Sequence, residues 1–299
     1  MQVRRGKGAV HGVAKNRRSL QETADPNLQA VGFYVGPNLV GCLVNFSLHA
    51  TVLGAENLLY SADYPGYLRK FVAQRHPNCN TLVLNGAAGN VNIGYSADAS
   101  ALGEIIDFRT FEKAEEVGNT LAEAALKALE KGPTMDRIEI RVGTQEVQLP
   151  LKQLPTLSEL EGQILKMQQA QEQLDPATLE ARKLSIKKVY LECVRDVMRR
   201  FGLQGEKRLS IPLQALAIGD VVLVAIPGEL FAELGLAIKE GWIGKQVMVV
   251  GYANGSFGYL PTYEAYAEGG YETETSVFHP TMGDALVKGA RSLIHNLLA

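Results

Sequence analysis

"QAVGFYVGPNLVGCLVNFSLH", residues 29–49, decides the fold reading. Two short apolar runs, rich in β-branched and aromatic residues, flank a "GPN" turn at 36–38, and the second run delivers His49 at its C-terminal end. The period then keeps changing. "YPGYLRKFVAQRH" (64–76) has helical spacing, and "TLVLNGAAGNVN" (81–92) reads as a buried strand running into a glycine-rich loop. "FEKAEEVGNTLAEAALKALEKG" (111–132) is a strongly amphipathic helix stopped by Gly132 and Pro133. Strand and helix alternating in this way predict an α/β fold with mixed β-sheets flanked by helices.

Alternating apolar positions resume in "RIEIRVGTQEVQLPL" (137–151). Residues 155–203 break the pattern: two helical stretches separated at "LDP" (174–176) predict a helical hairpin inserted between strands, whose Met and aromatic positions are packing residues. A strand pair turning at Gly219-Asp220, a strand-to-helix junction at "IPGE" (226–229), the strand "QVMVVGYANG" (246–255), an aromatic loop and a C-terminal helix complete the chain. The expectation is a single domain over 1–299, with the hairpin as an insertion within it.

Composition narrows the function. With 46% hydrophobic and 21% charged residues the chain is globular rather than disordered or fibrous. A formal net charge of −2 gives no global field for a nucleic-acid backbone, and the "RRGKG" (4–8) and "KNRR" (15–18) runs read as solvated basic surface. Cys42, Cys79 and Cys193 are too scattered for a zinc ribbon or a disulfide framework and are expected as reduced, buried thiols. Neither an apolar leader nor a run of about eighteen apolar residues occurs, so the sequence predicts a cytoplasmic chain without a transmembrane segment.

Few residues carry a chemical signal. His49 and Glu229 both stand where an apolar strand ends, and each can serve as a metal ligand or as an ordinary structural residue. Five tyrosines, Tyr252, Tyr259, Tyr263, Tyr266 and Tyr271, crowd into residues 252–271, where phenols can ligate a cation or donate to an oxyanion. "NGAAGNVN" (85–92) offers backbone N–H groups to an anion but fits neither a P-loop nor a dinucleotide fingerprint. No G-x-S-x-G elbow occurs, and no cysteine stands in a nucleophile context. His11, His76, His279 and His295 read as structural or solvent-exposed.

Taken together, "NFSLHAT" (45–51) with "SADYPGYLRKF" (61–71), "LVLNGAAGNVN" (82–92), "AIPGELFAELG" (225–235) and "GYANGSFGYLPTYEAYAEGGYE" (251–272) resemble the neutral/alkaline non-lysosomal ceramidases and their shorter bacterial relatives. The four pieces follow the family order and span most of the chain. The resemblance implies a zinc-dependent hydrolase of an amide bond in which His49, Glu229 and Tyr259 are metal ligands. It also implies that Tyr271 polarises the scissile carbonyl and that Arg17, in "KNRRS", helps hold substrate. A small-molecule amide or lipid-like compound is the implied substrate.

Three departures accompany the resemblance. The family's first zinc histidine lies in a Thr-His-Thr-His-Ser-Gly-Pro motif, which has no counterpart here, so the chain reads as a relative lacking the N-terminal third of the catalytic domain. Asn92 stands where the family carries a serine, which excludes a serine-dependent mechanism at that position. No immunoglobulin-like domain follows. The alternative implied by these departures is a degenerate member that binds a ligand or partner without turnover, and an open sheet edge predicts association into homo-oligomers.

Overall fold

The computed structural model describes residues 1–19, 24–101, 104–135 and 138–299. The chain runs through β1 (Gln2–Ala9), β2 (Lys15–Asn16), β3 (Asn27–Val35), β4 (Asn38–Phe46), α1 (Asp63–Arg75), β5 (Asn80–Asn85), β6 (Val91–Asn92), α2 (Ala97–Ala101) and α3 (Phe111–Lys131). It continues through β7 (Ile140–Pro150), α4 (Leu157–Gln171), α5 (Leu179–Phe201), β8 (Arg208–Ile218), β9 (Val221–Ala225), β10 (Glu229–Leu230) and α6 (Ala232–Lys239). It ends with β11 (Gln246–Val250), β12 (Tyr259–Leu260), α7 (Tyr263–Glu268), α8 (Tyr271–Thr275) and α9 (Met282–Leu298).

Two four-stranded mixed sheets form the frame, in the orders β1-β3-β4-β5 and β11-β9-β8-β7. In each, antiparallel neighbours give way to one parallel pair, β4 with β5 and β9 with β11. The expected hairpin at 29–49 is present, as β3 and β4, and the α/β reading holds. One detail differs: β5 is an edge strand rather than a buried one, with Leu82 58% exposed. A short apolar run has the same look at an edge as in the middle of a sheet.

The sheets are stitched together by side chains. Asn45 Nδ2 donates to Leu84 O at 3.1 Å within the first sheet and to Val249 O at 3.0 Å in the second. Gln246 Nε2 donates back to Ala30 O at 3.2 Å. Buried amides spanning the seam satisfy carbonyls that would otherwise lose solvent without a partner.

Helices cover the apolar faces. α3 begins at Thr110, whose hydroxyl accepts from Lys113 N, and ends at Gly132. Its stripe of Ala114, Val117, Leu121, Ala125 and Leu129 closes one core together with Leu68 and Val72 of α1. α9 lays Leu286, Leu293 and Ile294 on the second sheet. The inserted hairpin is also as read: a Thr156–Glu159 capping box opens α4, left-handed Gly202 (φ 64°) closes α5, and Leu160, Ile164, Val194 and Met198 enter the second core. Among the described residues no helix is long and apolar enough to cross a membrane.

Candidate functional site

Four loops leave the carboxyl ends of the two parallel strand pairs and meet above the seam, where ligands collect in open α/β sheets. The loop after β4 brings His49, and that after β5 brings residues 86–92. The loop after β9 brings Glu229, and that after β11 brings Tyr252.

His49 is held by Val91, whose carbonyl meets both the histidine's backbone N–H at 3.1 Å and ring Nδ1 at 3.0 Å. With Nδ1–H committed there, Nε2 is turned inward, the tautomer control common at metal-bound histidines. Nε2 lies 3.1 Å from Glu229 Oε2. The Tyr252 hydroxyl is 3.0 Å from Nε2 and donates to the same carboxylate oxygen at 3.0 Å. Burial works to raise the Glu229 carboxyl, but His49, by hydrogen bond and charge, and then the Tyr259 and Tyr252 hydroxyls outweigh it and hold the carboxyl below its usual range.

Glu229 is placed by a close backbone approach. It pairs with Tyr259 in the parallel β10–β12 ladder, and Gly89 lies against its carbonyl: a Cβ on Gly89 would fall 2.3 Å from Glu229 O. The glycine of "NGAAGNVN" therefore makes room for the backbone that carries Glu229. Asn90 completes the junction, accepting from Ala232 N at 2.9 Å and donating to Glu233. Asn92 is consumed by its own turn, accepting from Gly94 N at 2.7 Å and donating to Tyr95 O at 2.7 Å.

Arg17 and Tyr271 reach the same place. Arg17 Nη2 donates to Tyr259 Oη at 3.2 Å and to Gly89 O at 2.9 Å, and its Nε donates to Glu272 at 2.6 Å. The Tyr271 ring stands edge-on to Tyr259, 5.3 Å between centroids. Burial opposes the charge on Arg17, but Tyr259 and Glu272 outweigh it and raise its pKa further. Burial also raises the Tyr252, Tyr259 and Tyr271 phenols. All five residues singled out by the resemblance thus converge, and Glu229, Tyr259 and Tyr271 line one wall of a cavity of about 480 Å³. Cys193, Val197 and Arg200 of α5 line the same cavity, so the inserted hairpin is part of the site.

Two readings need correction. The "KNRR" run is not solvated surface throughout: the Arg17 and Arg18 side chains are 7% and 9% exposed, and both are paired with Glu272. Of the thiols, Cys42 and Cys79 are buried as expected, whereas Cys193 is partly exposed to the cavity. Sequence reasoning passed over Arg18, Glu272 and the placement of Tyr252. The adjacency of "RR" to Arg17 and of Glu272 to Tyr271 was the available signal.

The donor set can be compared with what zinc requires. Among the described residues no three His, Cys, Asp or Glu side chains converge, so His49 and Glu229 need a phenol as third donor. His49 Nε2, Glu229 Oε2 and Tyr252 Oη form a triangle with sides of 3.0–3.1 Å. Ligands on a tetrahedral ion with bonds of about 2.0–2.1 Å lie about 3.3 Å apart, so the triangle fits such an ion after a small opening. A ring nitrogen and a carboxylate oxygen 3.1 Å apart are held together by a shared proton or by a cation between them.

With this geometry established, comparison with known proteins gives its context. No protein-family model matches the chain. Parts of it are similar to neutral ceramidases B and A of Dictyostelium discoideum, each 35% identical over 82 residues, which is 24% of this chain and 11% or 12% of the relative. Neutral ceramidase 3 of Arabidopsis thaliana is 27% identical over 99 residues, 30% of this chain and 14% of that one. The likeness in structure is broader. The crystal structure of neutral ceramidase from Pseudomonas aeruginosa matches 99% of this chain with a TM-score of 0.66 at 18% identity, and a ceramidase complexed with C2 matches 99% with a TM-score of 0.64. The chain has the fold of a neutral ceramidase-like domain. It spans about half the length of those solved chains, 52% and 54%.

Proposed function

We propose that the chain is a zinc-dependent hydrolase of a carbon–nitrogen amide bond, acting on an acylated amide of the kind neutral ceramidases are named for. The observation that carries the reading is the meeting of His49 Nε2 and Glu229 Oε2, 3.1 Å apart, with Glu229 lining the same cavity as Tyr259 and Tyr271. His49, Glu229 and one of the two neighbouring phenols, Tyr252 or Tyr259, would hold the ion. Bound there, zinc supplies Lewis acidity and lowers the pKa of a bound water to about 7.

The chain's own residues do the remaining work. Val91 O fixes the His49 ring, and Gly89 lets the β10–β12 ladder present Glu229. The Tyr271 hydroxyl donates to the oxygen of the scissile carbonyl as negative charge develops on it, a contribution that grows toward the transition state. Arg17, locked by Glu272, orients Tyr259 beside it. As water adds to the carbonyl carbon and the C–N bond breaks, a proton passes to the departing amine. The cavity is large enough for one acyl amide.

The test is hydrolysis of fluorogenic N-acyl amides by the full chain, with and without a chelator, beside Glu229→Gln and His49→Ala. Chelator-sensitive turnover lost in both variants supports the reading. Turnover that survives both substitutions contradicts it, and ligand binding without turnover in the zinc-loaded wild type assigns the site to binding alone.

A further inference from the structure

Tyr271 sits on backbone that does little to aim its side chain. It opens α8, a helix of five residues, directly after Gly269 (φ 70°) and Gly270 (φ 93°), and Gly270 at the N-cap has no side chain to close the first turn. So short a helix is not stable by itself. Arg18 holds the main chain here, donating to Gly269 O at 2.6 Å and to Glu272 at 2.7 Å. Neither contact reaches the Tyr271 ring.

Aromatic neighbours on two sides do. Tyr259 stands edge-on at 5.3 Å between centroids, and a hydrogen bond joins the two side chains. Tyr190, from α5 of the inserted hairpin, lies at 5.4 Å with the ring planes tilted by 49°. Both separations fall in the range where aromatic rings attract. Tyr190 is itself anchored, since its hydroxyl donates to Asp98 Oδ1 of α2 at 2.7 Å. Burial, and then the hydrogen bond and charge of Asp98, push the Tyr190 phenol above its ordinary range, so it keeps the proton it donates.

Tyr271 lines the site cavity, whereas Tyr190 lines a separate groove together with Asp98, Leu179 and Ile186. The ring pair therefore stands between two hollows. Without the Tyr190 ring, that side of Tyr271 opens and the phenol is free to turn away from the cavity.

We infer that Tyr190 is a positioning residue: pinned by Asp98, it holds the Tyr271 hydroxyl toward the cavity, and the inserted hairpin thereby completes the site. The part Tyr271 plays rests on the hydrolase reading above, but the grip of Tyr190 on it does not require turnover.

Steady-state kinetics of the full chain on a fluorogenic N-acyl amide test the inference, beside fluorine NMR of the chain labelled with 3-fluorotyrosine. The Tyr271 signal is assigned by its loss in Tyr271→Phe. Tyr190→Leu is expected to lower kcat by about 3–10-fold, the bias an aromatic pair supplies, with KM changed by less than about twofold. Tyr190→Phe keeps the ring and is expected to recover most of the rate, which guards against a simple folding defect. In a Tyr271→Phe background Tyr190→Leu is expected to cost nothing further, as it must if it acts through Tyr271. The Tyr271 fluorine signal is expected to be single and sharp in wild type and split or broadened in Tyr190→Leu. Additive losses in the double variant, or a signal that stays single and sharp in Tyr190→Leu, overturn the inference. A wild-type chain that hydrolyses no amide overturns the hydrolase reading, and the fluorine signal then decides by itself whether Tyr190 holds Tyr271.

Discussion

Arg17 and Glu272 meet at 2.6 Å with side chains 7% and 3% exposed, and Arg18 closes the other carboxylate oxygen of Glu272 at 2.7 Å. One buried carboxylate thus balances two buried guanidiniums, and Arg17 passes that order on to Tyr259. Glu272→Ala removes the carboxylate partner of buried Arg17 and leaves Arg18 to the half-exposed Glu268 at 3.2 Å, and is expected to cost about 3–5 kcal/mol of unfolding free energy. Denaturant unfolding measures this, and a loss below 1 kcal/mol contradicts the paired arrangement.

Tyr271 stands beside Tyr259 on the cavity wall. If its hydroxyl faces the developing oxyanion, Tyr271→Phe lowers kcat by about 10²–10³-fold with KM nearly unchanged. Steady-state kinetics on an N-acyl amide decide it. A change confined to KM would assign Tyr271 to substrate binding instead.

Gly89→Ala tests how Glu229 is positioned. The added methyl would meet Glu229 O at 2.3 Å, so the β10 backbone must move. A destabilisation of about 1–3 kcal/mol is expected from overpacking, together with weaker zinc binding. Unchanged stability and affinity would show that the approach is loose.

A hydrogen bond from Lys245 at 2.7 Å holds the Asp220 carboxyl below its ordinary range, more than partial burial raises it. A depressed folded-state pKa gives stability that is present above the unfolded value of about 3.9 and is lost as pH falls through the folded value. Asp220 is 46% exposed, so the pair is worth only about 0.2–1 kcal/mol after solvent screening. Asp220→Asn should therefore be slightly less stable than wild type at neutral pH and equal to it in strong acid. The opposite pH trend in thermal melts contradicts the sign.

β7 is the outer strand of the second sheet and exposes Ile140 by 68% and Val142 by 61%. An apolar open edge predicts concentration-dependent association, reduced by Val142→Lys. Light scattering showing a monodisperse monomer at all concentrations contradicts this.

The sequence made the hairpin of β3 and β4, the insertion of α4 and α5, and the strand-end positions of His49 and Glu229 legible, because hydrophobic period and turn residues are local signals. Leu82 was not readable as an edge residue, since strand order depends on partners far along the chain. Arg17 and Arg18 looked solvated for a related reason: their counter-charge, Glu272, is more than 250 positions away. Tyr252 could be picked out as one tyrosine among five. Its selection by His49 and Glu229 needed the meeting of loops after β4, β9 and β11, which no local pattern encodes.

The most direct measurement is the zinc content of the purified full chain by elemental mass spectrometry after exhaustive dialysis, beside Glu229→Ala. The account predicts about one zinc per wild-type chain and a clear loss in the variant. A folded wild-type chain without zinc, or a variant that keeps its full complement, would contradict a metal centre built on His49 and Glu229.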